Sequence, residues 1–280
     1  MQHDNLSLDG GNNKNSMEQV PWRLIQTAPM SGAWNMAIDE AILDSVSDGE
    51  NPPTLRLYRW NPPCVSLGYS QSPNCVNRLS CKANGVEIVR RPSGGGAVIH
   101  HGGVTYSVGV RCDDLGTGRS VKRAYDRLSL GLATAVEKLG VELQIDNKHR
   151  NNCKRPAFCF AETSEADRVA RGRKLIGSAQ TRRKDTVLQH GEIPLSLSAS
   201  LIKGIFGDEG QHAMRTEMTC LEWELGRKVG RVEVETAIVC GFETVTGTKF
   251  ERHSLSVKEW EMARSIWQSK YKCHTYLDKT

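Results

Sequence analysis

Apolar and polar positions alternate along this chain with two periods, and the change of period divides it into elements. The run WRLI from Trp22 reads as a first strand. In SGAWNMAIDEAILDSV (31–46), Ser31 is a plausible N-cap, and Trp34, Ile38, Ala41, Ile42 and Val46 recur at helical spacing. TLRLYRW (54–60) and CVSLGYS (64–70) read as strands split by the turn signal Asn61-Pro62-Pro63. GVEIVRR (85–91) reads as a buried strand feeding a loop at 92–96. AVIHH (97–101) and VTYSVGV (104–110) look like a hairpin around Gly102-Gly103. A second amphipathic helix is predicted over 120–139. Ser120 caps it, Tyr125, Leu128, Leu132, Val136 and Leu139 share a face, and Gly140 stops it. DRVARGRKLIGSA (167–179) reads as a hairpin turning at Arg171-Gly172, and TVLQHGEIPLSL (186–197) as a strand pair or a strand plus loop. Beyond 230, VETAIVCGFETVTG and SVKEWEMARSIWQSKY are helical in period.

Residues 1–20 are rich in Asn, Asp, Gly and Ser and are expected to form a disordered leader, with order beginning near Pro21-Trp22. There is no internal repeat and no linker long enough to split the rest. Strands in the middle, with helices before, between and after, predict one α/β (α+β) domain whose mixed central sheet is flanked by helices.

Composition narrows the class. The chain has 280 residues, 38% hydrophobic and 25% charged, with a formal charge of +5. No apolar run approaches the roughly 18 residues of a spanning helix, so no membrane role is expected. The first twenty residues lack the apolar core of a secretory signal. The nine cysteines, an odd count at scattered positions, therefore read as reduced cytosolic thiols, and a cytoplasmic location is expected. Lys and Arg are interleaved with Asp and Glu, which argues against a nucleic-acid partner. The densest basic stretches, 168–174 and 182–184, are either a solvated surface or a docking face for an acidic protein.

Three features could carry chemistry. Gly94, Gly95 and Gly96 follow a strand and the pair Arg90-Arg91, and such a loop lets backbone approach a ligand closely. It is neither a dinucleotide fingerprint nor a Walker A loop. The thiols form no C-x-x-C pair or Cys/His cluster, so no metal site is expected. Most are small core residues; Cys159, in the loop-like PAFCFAE (156–162), and Cys153 stand on an equal footing as reactive candidates. Lys174 follows the Arg171-Gly172 turn, where an ammonium can hold a carbonyl oxygen or lower a thiol pKa.

Taken together, WNMAIDEA (34–41), PTLRLYRWNPP (53–63), SLGY (66–69), RRPSGGGA (90–97), GRKLIGSAQT (172–181) and LQHGEIPL (188–195) resemble the biotin/lipoate protein ligase superfamily, in order over about residues 22–257. Within it the chain is most similar to the cysteine-dependent octanoyltransferases of lipoate assembly. The resemblance implies transfer of an octanoyl group from octanoyl-acyl carrier protein to an enzyme cysteine, then to one lysine of a lipoyl-domain protein such as the glycine cleavage H protein. No cofactor is implied, and a monomer is expected. It assigns Cys159 as the acyl-thioester nucleophile and Lys174, fifteen residues later, as the group that lowers its pKa and holds the acyl carbonyl. Arg91, Ser93, Gly94, Gly95, Gly96, Ala97, His100, Gly177, Ser178 and Ala179 are the implied substrate-binding residues.

The chain departs from the family pattern in two places. His100-His101 stands where a His-Asp pair is common, and the third glycine, Gly96, is more typical of ATP-dependent lipoate ligases. The alternatives are such a ligase, acting through an acyl-adenylate, and an amidotransferase between lipoyl domains. The expected organisation is a leader at 1–20, a catalytic domain at 21–257 and a C-terminal helix at 258–280.

Overall fold

The computed structural model describes residues 21–145 and 168–278; the expected leader, Cys153 and Cys159 lie outside them. In chain order the strands and helices are β1 (Trp22–Gln26), α1 (Gly32–Ser47), β2 (Thr54–Tyr58), β3 (Cys64–Leu67), α2 (Arg78–Ala83), β4 (Glu87–Arg90), β5 (Val98–His100) and β6 (Gly103–Arg111). There follow α3 (Val121–Lys138), β7 (Gln144–Ile145), β8 (Arg168–Ala170), β9 (Arg173–Lys174), β10 (Gly177–Arg183) and β11 (Thr186–Pro194). The chain continues through α4 (Ala199–Thr216), α5 (Leu221–Leu225), α6 (Arg231–Thr246), β12 (Phe250–His253), α7 (Val257–Ile266) and α8 (His274–Leu277).

Six strands form a mixed sheet in the order β10-β11-β6-β2-β1-β12. β1 runs parallel to both β2 and β12, while β2, β11 and β10 join through antiparallel pairings that include β6. A smaller sheet, β4-β3-β5, stands beside it, and β7-β8-β9 form a third. The fold class read from the sequence is therefore the one observed. The apolar period of α3 works as expected: Ser120 Oγ accepts from the Arg123 amide, and Leu128, Leu132 and Val136 are buried. That face and α6 cover one side of the large sheet, with Leu57, Val108 and Val110 beneath. Ile38, Ile42 and Val46 of α1 pack with Ile25 and Ala263 in a second cluster.

Two readings change and one is narrowed. AVIHH and VTYSVGV are not a hairpin. The chain reverses at Gly102 (φ +80°), but β5 pairs with β3 while β6 pairs with β2 and β11. The nine-residue register between β6 and β11 offers far more ladder bonds than the three residues of β5 could. TVLQHGEIPLSL takes the second of its two readings, the strand β11 (Thr186–Pro194) followed by a loop. The helix α4 has no counterpart in the periodic reading, because Gly204, Gly207 and Gly210 interrupt it, and Gly207 adopts φ +66°.

The C-terminal region is not a single helix. α7 begins with a Ser256/Glu259 capping box, and a π-helical turn (Trp267–Tyr271) and α8 follow. It is tied to the large sheet and α1: Glu259, fully buried, pairs with Arg23 of β1, and Glu40 of α1 accepts two bonds from Lys270.

Candidate active site

Between the two larger sheets lies a cleft of about 340 Å³, walled by Met36, Tyr58, Trp60, Val98 and Ala179 and by the polar groups Ser66, Arg91 and two histidines, His100 and His190. α1, β2, β3, β5, β10 and β11 each contribute a wall residue. The pairing of β10 with β11 places Ser178 opposite Gly191, and Tyr106 hydroxyl bonds Ser178 Oγ at 2.8 Å.

Arg91 organises this wall. Its Nη1 donates to Ser66 O (2.8 Å) and Ser66 Oγ (3.3 Å), its Nε to Ser93 Oγ (3.2 Å), and its Nη2 to the carbonyls of Gly94 (2.6 Å) and Gly96 (2.8 Å). The glycine loop is thus wrapped around a buried guanidinium, with its carbonyls turned to the cation. It also packs directly on Gly68, where a Cβ would run into the Gly95 carbonyl oxygen; Gly95 itself has φ +90°. The neighbouring Arg90, completely buried, turns the other way. It donates to the carbonyls of Gly68, Tyr69 and Gln71 and to those of Tyr276 and Leu277 in α8.

Each serine held by Arg91 leads to a histidine and then to a carboxylate. Ser93 Oγ bonds His190 Nε2 at 2.5 Å, and His190 Nδ1 donates to Asp39 Oδ2 at 3.1 Å. Ser66 Oγ bonds His100 Nε2 at 2.8 Å, and His100 Nδ1 donates to Glu192 Oε2. The Trp60 ring stacks on His100 with centroids 4.0 Å apart, and its Nε1 donates to Thr105, which donates in turn to Glu192.

Electrostatics separates the two carboxylates. Burial alone would raise the Asp39 carboxyl, but His190, Arg56 and Ser107 together hold it below its ordinary value. Arg56 Nη1 sits 2.7 Å from Asp39 Oδ1, and both side chains are fully buried. Burial pushes His190 below the usual imidazole range despite the opposing pull of Asp39, so the ring is neutral near neutral pH. Burial and the Asp39 charge raise the Tyr58 phenol well above its ordinary value. Among the described residues, Glu192 accepts hydrogen bonds from His100 and Thr105.

Arg91, His100, Gly177, Ser178 and Ala179 line the cleft. Ser93, Gly94 and Gly96 are bonded to Arg91 behind the wall. Ala97 belongs to the apolar cluster under the small sheet. Lys174 is 3% exposed; its backbone bonds Glu217 O and the Thr219 amide, three residues before the Gly177 wall. Cys159 lies outside the described residues. The sequence reading assigned no role to Asp39, Ser66, His190 or Glu192. His190 and Glu192 stand two apart on β11 and so share a face, a signal that was available. Among the described residues no three His, Cys, Asp or Glu side chains gather as metal ligands, and no helix is long and apolar enough to cross a membrane.

Residues 31–243 match the lipoyl protein ligase A/B catalytic domain. The chain belongs to that family. Its similar curated relatives are near full length. The octanoyltransferase LipM of Symbiobacterium thermophilum is 37% identical over 271 residues, covering 92% of this chain and 98% of its own. That of Oceanobacillus iheyensis is 34% identical over 259 residues, covering 89% and 94%. Among solved structures, lipoate-protein ligase A bound with ATP superposes with a TM-score of 0.79 at 22% identity, covering 93% of this chain and all of that one. A bipartite lipoate protein ligase of Thermoplasma acidophilum gives 0.76 at 24%, covering 91% and 95%. These two likenesses concern the fold. With relatives of that name along nearly its whole length, this member of the family is an acyltransferase.

Proposed function

We propose that this chain transfers an octanoyl group from octanoyl-acyl carrier protein to Cys159 and from there to a lysine of a lipoyl-domain protein, as a cytoplasmic enzyme of protein lipoylation. In the first step the Cys159 thiolate attacks the carrier thioester; a C–S bond forms, the old C–S bond breaks, and the carrier leaves as a thiol after taking a proton. In the second, the lysine amine attacks the new thioester; the C–N bond of an amide forms, the C–S bond breaks to release the Cys159 thiolate, and the nitrogen gives up one proton. Lys174 lowers the Cys159 pKa and holds the acyl carbonyl. Residues 21–257 form the catalytic unit.

The observation that supports this reading best is the cleft. Its walls combine apolar side chains with Ser66, Arg91 and two histidines, one of which, His190, burial holds neutral, and its Gly177 wall stands three residues from a buried lysine. An acyl chain gains about 0.8 kcal/mol for each CH₂ it buries in such a site. Two incubations test the proposal. Octanoyl carrier and apo lipoyl domain without ATP should give octanoylated domain, and free octanoate or lipoate with ATP and Mg²⁺ should not. The first mixture should leave a thioester adduct visible by intact mass, lost in Cys159→Ser and retained in Cys153→Ala. Activity only with ATP would replace this reading with a ligase.

A further inference from the structure

Two serine–histidine–carboxylate chains meet the same arginine, but they differ in what they face. Ser93 sits behind Arg91, and the carboxylate at the end of its chain is already neutralised by Arg56. Ser66 lines the cleft itself, and its chain ends on Glu192, which accepts from the intervening His100 and from Thr105. A chain that begins at the cleft and ends on a carboxylate hydrogen-bonded to its histidine, with no arginine or lysine in ion-pair distance of that carboxylate among the described residues, is arranged to receive a proton. This is the geometry by which a buried acid orients an imidazole and stabilises its protonated form.

Resting on the proposed transfer to a lysine amine, we infer that Ser66, His100 and Glu192 accept the proton released when that amine attacks the acyl thioester. The neutral amine nitrogen forms a bond to the acyl carbon, and the C–S bond breaks to release the Cys159 thiolate. The nitrogen then carries one proton too many. That proton passes to Ser66 Oγ as the serine's own proton moves to His100 Nε2, giving an imidazolium. Glu192 holds its Nδ1–H, and the proton later leaves to water. Arg91 donates to Ser66 Oγ, which turns the serine hydrogen toward His100. Thr105 donates to Glu192 and fixes its carboxylate. Trp60 stacks at 4.0 Å and an interplanar angle of 15°, presenting its π face to the imidazolium. The cations that would oppose protonation, Arg91 and Arg231, are engaged by carbonyl groups and by Glu235.

The test separates loading from discharge. Wild type, Ser66→Ala, His100→Gln and Glu192→Gln are loaded with octanoyl carrier protein and followed by intact mass. The loaded enzymes are then discharged either with the apo H protein or with hydroxylamine, whose nitrogen is unprotonated at neutral pH and sheds its proton readily. Discharge is read on enzyme already loaded, so any change in loading drops out; lysine discharge should slow by about 10²–10⁴-fold relative to hydroxylamine discharge. Glu192→Gln preserves the shape of the chain while removing its charge, so it carries the test if His100→Gln fails to fold. Equal slowing of both discharges would make the chain a scaffold and overturn the inference. So would undiminished lysine discharge in Ser66→Ala and Glu192→Gln, or an octanoyl group mapped to Ser66. A wild-type enzyme that forms no Cys159 adduct yet transfers would overturn the thioester reading first, and this role with it.

Discussion

Replacing Asp39 by Asn removes one charge from the centre of the molecule without changing its volume. In the wild type that carboxylate accepts from Arg56 (2.7 Å), Ser107 (2.8 Å), Tyr58 (2.9 Å) and His190 (3.1 Å). Arg56 keeps its bonds to Asn35 and Thr27 but loses its counter-charge in a place without solvent. Removing one partner of a buried pair costs about 3–5 kcal/mol, because the other charge is left uncompensated. Against a total stability of about 5–15 kcal/mol, that is a large fraction. With a urea slope of about 3 kcal/mol per molar, the unfolding midpoint should fall by about 1–1.7 M. Circular dichroism during urea titration measures it. Combining Asp39→Asn with Arg56→Met should recover part of the loss, since an apolar pair of similar size no longer strands a cation. A single-variant loss under about 1 kcal/mol, the size of an exposed ion pair, would refute the view that Arg56 depends on Asp39. So would a double variant less stable than Asp39→Asn.

Three further outcomes are expected. The unfolded chain binds a proton at His190 near its ordinary pKa of 6.5, which the folded chain refuses, so stability should fall as pH drops below about 6.5; urea midpoints from pH 7.5 to 5.5 test this, and a His190→Gln variant with an undiminished slope would place the proton elsewhere. Gly68→Ala drives a methyl group into the Gly95 carbonyl, so it should cost about 1–3 kcal/mol and slow acyl loading; unchanged melting and loading would show that the glycine loop yields freely. Lys174→Ala should keep its fold but react more slowly with thiol reagents near neutral pH, by about tenfold for each unit its thiol pKa rises; an unaltered reactivity profile would end the proposed role of the ammonium.

Much of the scaffold could be read in advance because it follows from local periods. Ser31 and Ser120 start the helices they were expected to cap, and Arg171-Gly172 makes its turn with φ of +49° and +74°. The site was legible only where one segment carries its own signal, as the glycine loop does. The partners of Asp39 lie 17 residues away in Arg56 and 151 away in His190, and no local pattern relates them. In α1 the positions Asn35 and Asp39 look like a solvent face, yet both are buried against Arg56, so the helix is enclosed on two sides. Arg91 was expected to touch substrate; what a sequence cannot display is that most of its bonds go to the loop itself.

The buried Arg90 has a consequence for how the chain is made. It joins carbonyls at residues 68–71 to those of Tyr276 and Leu277, the farther of them 187 positions along. At about 5–20 residues per second, a ribosome needs roughly 10–40 s to supply that second half. During this interval the loop beside the cleft has only part of its clasp. The clasp is therefore complete only once Tyr276 and Leu277 have been made, and chains truncated before residue 276 should hold residues 68–71 less firmly even though every wall residue of the cleft has been synthesised.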